Sequence, residues 1–181
     1  LPSVRAGTLT SELMALIRDV RKTGFTIAPE AGSQRLRDVI NKNITEPEIV
    51  ETVSQAFALG WRVIKLYFMI GLPTETEDDL QSIVDLVRKI RRMDASRRGR
   101  IHVSVTTFIP KPHTPFQWAA QIPLDESREK IERLKRLLDI PGVRFKWQHP
   151  EVSLLEGLWA RGDRRLNALL AAAAAVGCRL D

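Results

Sequence analysis

The stretch from Trp61 to Arg92 constrains the fold more than any other part of the chain. Trp61 to Ile70 is a run of apolar and aromatic residues interrupted only by Arg62 and Lys65, and it passes through Gly71-Leu72-Pro73 straight into Thr76 to Arg92. In that second segment Leu80, Ile83, Val84, Val87 and Ile90 recur at helical spacing. A strand that feeds directly into a long helix returns to the sheet as a parallel neighbour, not as a hairpin. The unit repeats: Ile101 to Phe108 reads as a strand, Ile109 to Trp118 as a proline-interrupted loop, and Leu124 to Leu138 as a charged amphipathic helix. Val143 to Trp147 is a candidate last strand, followed by helices over Ser153 to Ala160 and Asp163 to Val176 on either side of Gly162.

Upstream of Trp61 the same alternation holds. Ser3 to Ala6 reads as extended, Thr10-Ser11 caps a helix over Glu12 to Lys22, Gly24 ends it, and Phe25 to Ala28 is a strand stopped by Pro29. A helix starts near Ser33 with Leu36, Val39 and Ile40 on one face. Another opens at Thr45-Glu46-Pro47-Glu48, with Thr45 as N-cap, Glu48 as its reciprocal partner and Pro47 in the first turn, and closes at Gly60. Strands alternating with helices predict an α/β chain with a parallel sheet. About four β/α units are too few for a closed barrel of eight.

The strands also carry a facing pattern. Leu66, Phe68 and Ile70 form one apolar set, whereas Lys65, Tyr67 and Met69 form the other; His102, Ser104 and Thr106 likewise oppose Val103 and Val105. A parallel sheet covered on both sides is apolar throughout. Two neighbouring strands with a polar face therefore predict a lumen or cleft with polar content. The plainer reading places Lys65 and His102 at exposed strand starts and Tyr67 in the core.

At 181 residues and 44% hydrophobic the chain is long enough for one packed body. The alanine-rich run Ala168 to Val176 is too short to cross a bilayer, and Leu1 to Thr10 lack the features of a secretory signal, so a cytoplasmic protein with no membrane partner is expected. Cys178 is the only cysteine, which excludes an internal disulfide and any cysteine-held metal or cluster. The net charge of +6 suits an anionic partner such as RNA if the charges cluster on one face. Arg88 to Arg100 holds seven Lys or Arg against one Asp, and Lys130 to Arg136 and Arg161 to Arg165 add smaller groups.

Three motifs follow predicted strands in order: Ala28-Pro29-Glu30-Ala31-Gly32-Ser33, running on through Val39-Ile40-Asn41-Lys42; Met69-Ile70-Gly71-Leu72-Pro73-Thr74-Glu75-Thr76; and Phe108-Ile109-Pro110-Lys111-Pro112-His113-Thr114-Pro115. Together they resemble the second half of the radical S-adenosylmethionine (radical SAM) catalytic barrel, in the branch that includes methylthiotransferases and elongator-type enzymes. The similarity spans Ser3 to Phe116 and looks closest to radical SAM proteins associated with cobalamin-binding-type domains, a group that the tail Ala160-Arg161-Gly162-Asp163-Arg164-Arg165 also resembles.

The resemblance implies a partial (β/α) barrel, the last four β/α units of a six-stranded TIM-like barrel with a helical tail. Residues 1–118 would form the barrel part, its N-terminal half absent. Residues 119–181 would form a helical extension with a short strand. SAM and a [4Fe–4S] cluster are the implied cofactors of a full-length parent. The cluster would be held by a CxxxCxxC loop that this sequence lacks, so the chain alone is expected to be inactive and to bind SAM weakly or not at all.

Glu30 matches the residue at the end of the fourth strand that bonds the SAM ribose, and Lys42 sits where a cation meets the methionine carboxylate. Ser33 would cap the next helix or reach the ligand. Tyr67 replaces an acidic residue of some relatives, and Lys65 shares its polar face. Gly71, Leu72 and Pro73 would form the tight exit by the adenine, and Ile109 and Pro110 would lay backbone beside its edge. No catalytic residue is assigned, and no metal ligand. The missing N-terminal half of the same polypeptide is the expected partner, and the unpaired edge near Ser3 would favour a dimer. The alternatives are a basic α/β module that binds RNA or a protein, and a small β/α enzyme using His102, His113 or His149 in acid–base roles.

Overall fold

The computed structural model describes residues 24–94 and 99–178. In chain order the elements are β1 (Phe25–Glu30), α1 (Gln34–Val39), α2 (Glu46–Ala58), β2 (Val63–Ile70), α3 (Glu77–Met93), β3 (Arg100–Thr107), α4 (Leu124–Leu137), β4 (Val143–Trp147), α5 (Pro150–Arg161) and α6 (Leu166–Ala175). The strand expected at Ser3 to Ala6, with its edge, and the helix expected over Glu12 to Lys22 lie outside the described residues.

All four strands are parallel and stand side by side in chain order, β1-β2-β3-β4. Along β1, β2 and β3 buried residues alternate with less buried ones. The buried set, with Phe25, Ile27, Ile64, Leu66, Phe68, Ile70, Ile101, Val103 and Val105, packs into one core with Ile49 and Val53 of α2, with Leu80, Ile83, Val84, Val87 and Ile90 of α3, and with Ile131 and Leu134 of α4. The helices thus cover one face of the sheet and leave the other polar, which is the arrangement of a barrel wall. This is an α/β fold with a partial β/α barrel. Val143–Trp147, the short strand expected after residue 118, pairs with β3 along its length and extends the sheet.

Local chemistry explains the helix starts. Thr45 and Glu48 complete a capping box on α2, and Thr76 and Asp79 complete one on α3. Glu77, Asp78 and Asp79 in the first turn of α3 and Arg91 and Arg92 in its last complement the helix dipole. Val39, expected on the inward face of α1, is 38% exposed; this helix has six residues and buries Leu36 and Arg37 instead. No residue of α6 is buried. Among the described residues no helix is long and apolar enough to cross a membrane.

Candidate functional site at the C-terminal ends of the strands

The loops after β1, β2 and β3 meet at one end of the sheet around a small second core of Ala31, Leu36, Leu72 and Phe108, with Ile40, Met69, Phe116 and Ala119 packed against it. Phe108 and Phe116 make an edge-to-face pair there, centroids 6.0 Å apart. Leu72 anchors the second motif to this core, and Phe108 anchors the third. Each strand end or the loop after it also holds a non-glycine residue with positive φ: Glu30 (67°), the last residue of β1, Thr74 (66°) and His113 (61°). Such conformations cost energy and persist where the surroundings enforce them.

At Glu30 the enforcing feature is a bulge. The β1–β2 register pairs Ile27 with Leu66 but Glu30 with Phe68, so β1 holds one residue more than its neighbour. The Glu30 carboxylate accepts from the Lys42 ammonium at 3.1 Å, and both side chains are partly exposed, at 27% and 35%. These two predicted ligands form one polar unit. Beneath it the guanidinium of Arg37, fully buried, donates to the carbonyls of Ala31, Gly32 and Ile44 and to Gln34. Burial draws the Arg37 pKa down, opposed by the charges of Glu46 and Asp38. Arg37, which no local sequence pattern marks as part of the site, staples the loop that follows Glu30.

Ser33 is committed elsewhere. Its hydroxyl caps α1, accepting from the Leu36 amide at 3.1 Å, and donates to Asp79. Asp79, 3% exposed, also accepts from Arg35 and from the amide and hydroxyl of Thr76. Burial raises its pKa, but the bonds from Arg35, Ser33 and Thr76 outweigh that and bring it to about 2. Arg35 also reaches the Thr74 carbonyl at 2.8 Å. The loops after β1 and β2 are therefore joined through one carboxylate at the start of α3. Gly32 allows this: a Cβ there would lie 2.3 Å from the Ile83 nitrogen.

Gly71 has φ 73°, and its amide donates to both oxygens of Glu75 at 3.0 Å. Glu75 is almost fully buried and pairs with Lys130 of α4 at 3.0 Å. Burial raises the Glu75 pKa, against the pull of the Gly71 amide and Lys130. Pro73 follows, partly buried, before the Thr74 kink. Ile109 is partly buried and Pro110 buried, just past the point where the Phe108 amide donates to the Ile70 carbonyl. Glu30, Lys42, Gly71, Leu72, Pro73, Ile109 and Pro110 thus come together at this rim.

Lys65 and Tyr67 do not join them. Lys65 is the third residue of β2, paired in register with Thr26 and His102, and its Cε lies over Gly24 at the opposite end of the sheet. Tyr67, 42% exposed, stands mid-strand on the polar face and is not a core residue. His102 lies on that face too, whereas His113 is in the third loop and His149 precedes α5 against Trp147. In the basic segment, Arg88, Lys89 and Arg91 stand beside Asp85, Glu46 and Asp94, and Arg97 and Arg98 lie outside the described residues. Among the described residues no three His, Cys, Asp or Glu side chains are grouped to hold a metal ion.

Comparison with known proteins agrees with this architecture. Residues 3–87 match the family model of the radical SAM superfamily. The chain is 37% identical over 168 residues to an uncharacterised protein of Methanocaldococcus jannaschii, covering 93% of this chain and 36% of that protein. It is 28% identical over 141 residues to the tRNA-2-methylthio-N(6)-dimethylallyladenosine synthase of Aquifex aeolicus, covering 73% of this chain and 28% of that enzyme. The protein of the same name from Protochlamydia amoebophila is 27% identical over 140 residues, with shares of 72% and 28%. The chain therefore spans about a third of the length of the curated relatives it matches.

Proposed function

Because this chain belongs to the radical SAM superfamily, in its methylthiotransferase-like branch, we propose that its strand-end rim is part of the SAM-binding wall of a longer radical SAM enzyme. The observation that carries the reading is Glu30. A bulge and a left-handed backbone hold a carboxylate at the C-terminal end of a parallel strand, where ligands of such sheets bind.

The donor set suits the nucleoside part of SAM. Glu30 can accept from both ribose hydroxyls. Lys42 fixes its orientation through the 3.1 Å contact. This gives Lys42 a role beside the ribose, nearer than the methionine carboxylate contact expected from the resemblance. Pro73 and Ile109, partly exposed, offer a narrow apolar edge for the adenine, supported from beneath by Leu72 and Pro110 and by Gly71, whose amide Glu75 holds and whose missing Cβ makes room for Ile122. Ser33 and Asp79 hold the loops in place without touching the ligand.

A [4Fe–4S] cluster does not fit the residues present. Cys178, exposed beyond α6, is the only cysteine, and three thiolates are needed for a CxxxCxxC loop. The cluster and the chemistry it supports belong to the rest of the longer protein in this proposal, and this chain alone is inactive.

The test is Glu30→Ala in the longer cluster-bearing polypeptide. Equilibrium SAM binding is expected to weaken at least tenfold, with the cluster's absorption unchanged. Unaltered SAM affinity would contradict the assignment.

A further inference from the structure

The polar face of the sheet has a second chemical character at its other end. Register places Lys65, His102 and Arg144 in one row across β2, β3 and β4, with Tyr67, Ser104 and Lys146 in the next row. Arg100 precedes His102 by two residues on the same strand and face. Parallel strands lie about 4.8 Å apart, so Lys65 and Arg144 stand about 10 Å apart with an imidazole between them. Like charges opposite one another in a sheet destabilise it. Here the row consists of basic side chains alone, and among the described residues no carboxylate pairs with Lys65, His102, Arg144, Lys146 or Arg100.

Several cations elsewhere are placed differently. Lys42, Lys89, Lys111, Arg128, Lys130 and Arg133 each sit against a carboxylate. The row residues do not, although they are partly or fully accessible. Burial, with the charges of Arg144, Lys65, Lys146 and Arg100, lowers the His102 pKa, as expected for a cluster short of negative charge.

We infer that Lys65, His102, Arg144 and Lys146 form an anion site on the inner face of the sheet for a compact, multiply charged phosphate ligand of diphosphate size. The two-strand width matches two adjacent phosphate groups, and Arg144 supplies a planar fork suited to phosphate oxygens. An extended polyanion would call for a track of cations along the surface, whereas this cluster ends within two residues along each strand. The site is about 16 Å from the strand ends, at about 3.3 Å per residue from Lys65 to Ile70, and stands independently of the SAM reading.

The probe is inorganic diphosphate, titrated into the 181-residue chain at constant ionic strength. Proton NMR follows the imidazole signals of His102, His113 and His149. A saturable shift at His102 is expected, with His113 and His149 unmoved. Arg144→Gln with Lys146→Gln, both exposed, should weaken binding at least tenfold. Lys65→Gln should weaken it severalfold, and Arg92→Gln on α3 should not. No saturable shift at His102, equal movement of all three histidines, or undiminished binding in both Arg144→Gln/Lys146→Gln and Lys65→Gln would overturn the site. A single-stranded RNA of twelve nucleotides that binds tenfold more tightly than diphosphate through the same residues would overturn the compact ligand.

Discussion

Asp79 lets the joining of the two motif loops be tested quantitatively. Asp79→Asn keeps the shape and removes the charge on which Ser33, Arg35 and Thr76 converge. The folded carboxyl titrates at about 2 rather than 3.8, and at about 1.4 kcal/mol for each tenfold in proton affinity this corresponds to about 2.5 kcal/mol. A depressed folded pKa stabilises above the unfolded value and is lost as pH falls through the folded one. Urea unfolding should therefore find Asp79→Asn less stable by about 2–3 kcal/mol at pH 5 to 7. The gap should narrow by about 1 kcal/mol between pH 5 and pH 3, because Asp79 then begins to protonate in the unfolded chain. A difference below about 0.5 kcal/mol at neutral pH, or one that is constant from pH 5 to pH 3, would refute the reasoning.

Other positions give sharper structural tests. Gly32→Ala places a Cβ against the backbone of Ser82, Ile83 and Asp79, which cannot rotate away, and thermal melts should show a loss of about 3 kcal/mol. Arg37→Met leaves the carbonyls of Ala31, Gly32 and Ile44 without their donor and should cost about 3–5 kcal/mol by urea unfolding. Gly71→Ala meets both a positive φ and the Ile122 side chain; since Ile122 can shift, a loss of about 1–2 kcal/mol is expected, with SAM binding weakened in the longer protein.

The periods of the sequence carried most of the fold. The two-residue alternation in Lys65 to Ile70 and Ile101 to Thr106 revealed the polar face, and the helical spacing from Leu80 to Ile90 identified its cover. Both signals are local, and Val143–Trp147 was legible for the same reason. What escaped were contacts between residues distant in sequence. Arg35 with Asp79, separated by 44 positions, and Lys130 with Glu75, separated by 55, leave no local pattern. Two hints were nonetheless present: Thr76 and Asp79 have capping-box spacing, and Gly32 just before an N-cap serine suggests close approach of another element. Lys65 was grouped with the site because it shares a polar strand face with Tyr67, but its side chain lies at the end of that strand away from the rim. The bulge that turns Glu30 depends on the register between β1 and β2, which a single strand's sequence does not state.

The central claim is that the strand ends, and not the basic row, face SAM. An amide NMR titration of the labelled chain with SAM to millimolar concentration tests it directly. The account predicts shifts confined to residues around Glu30, Lys42, Gly71, Leu72 and Ile109, with Ile64 to Leu66 and Ile101 to Val103 unmoved. Shifts centred on Lys65 and His102, with the strand ends unmoved, would contradict it.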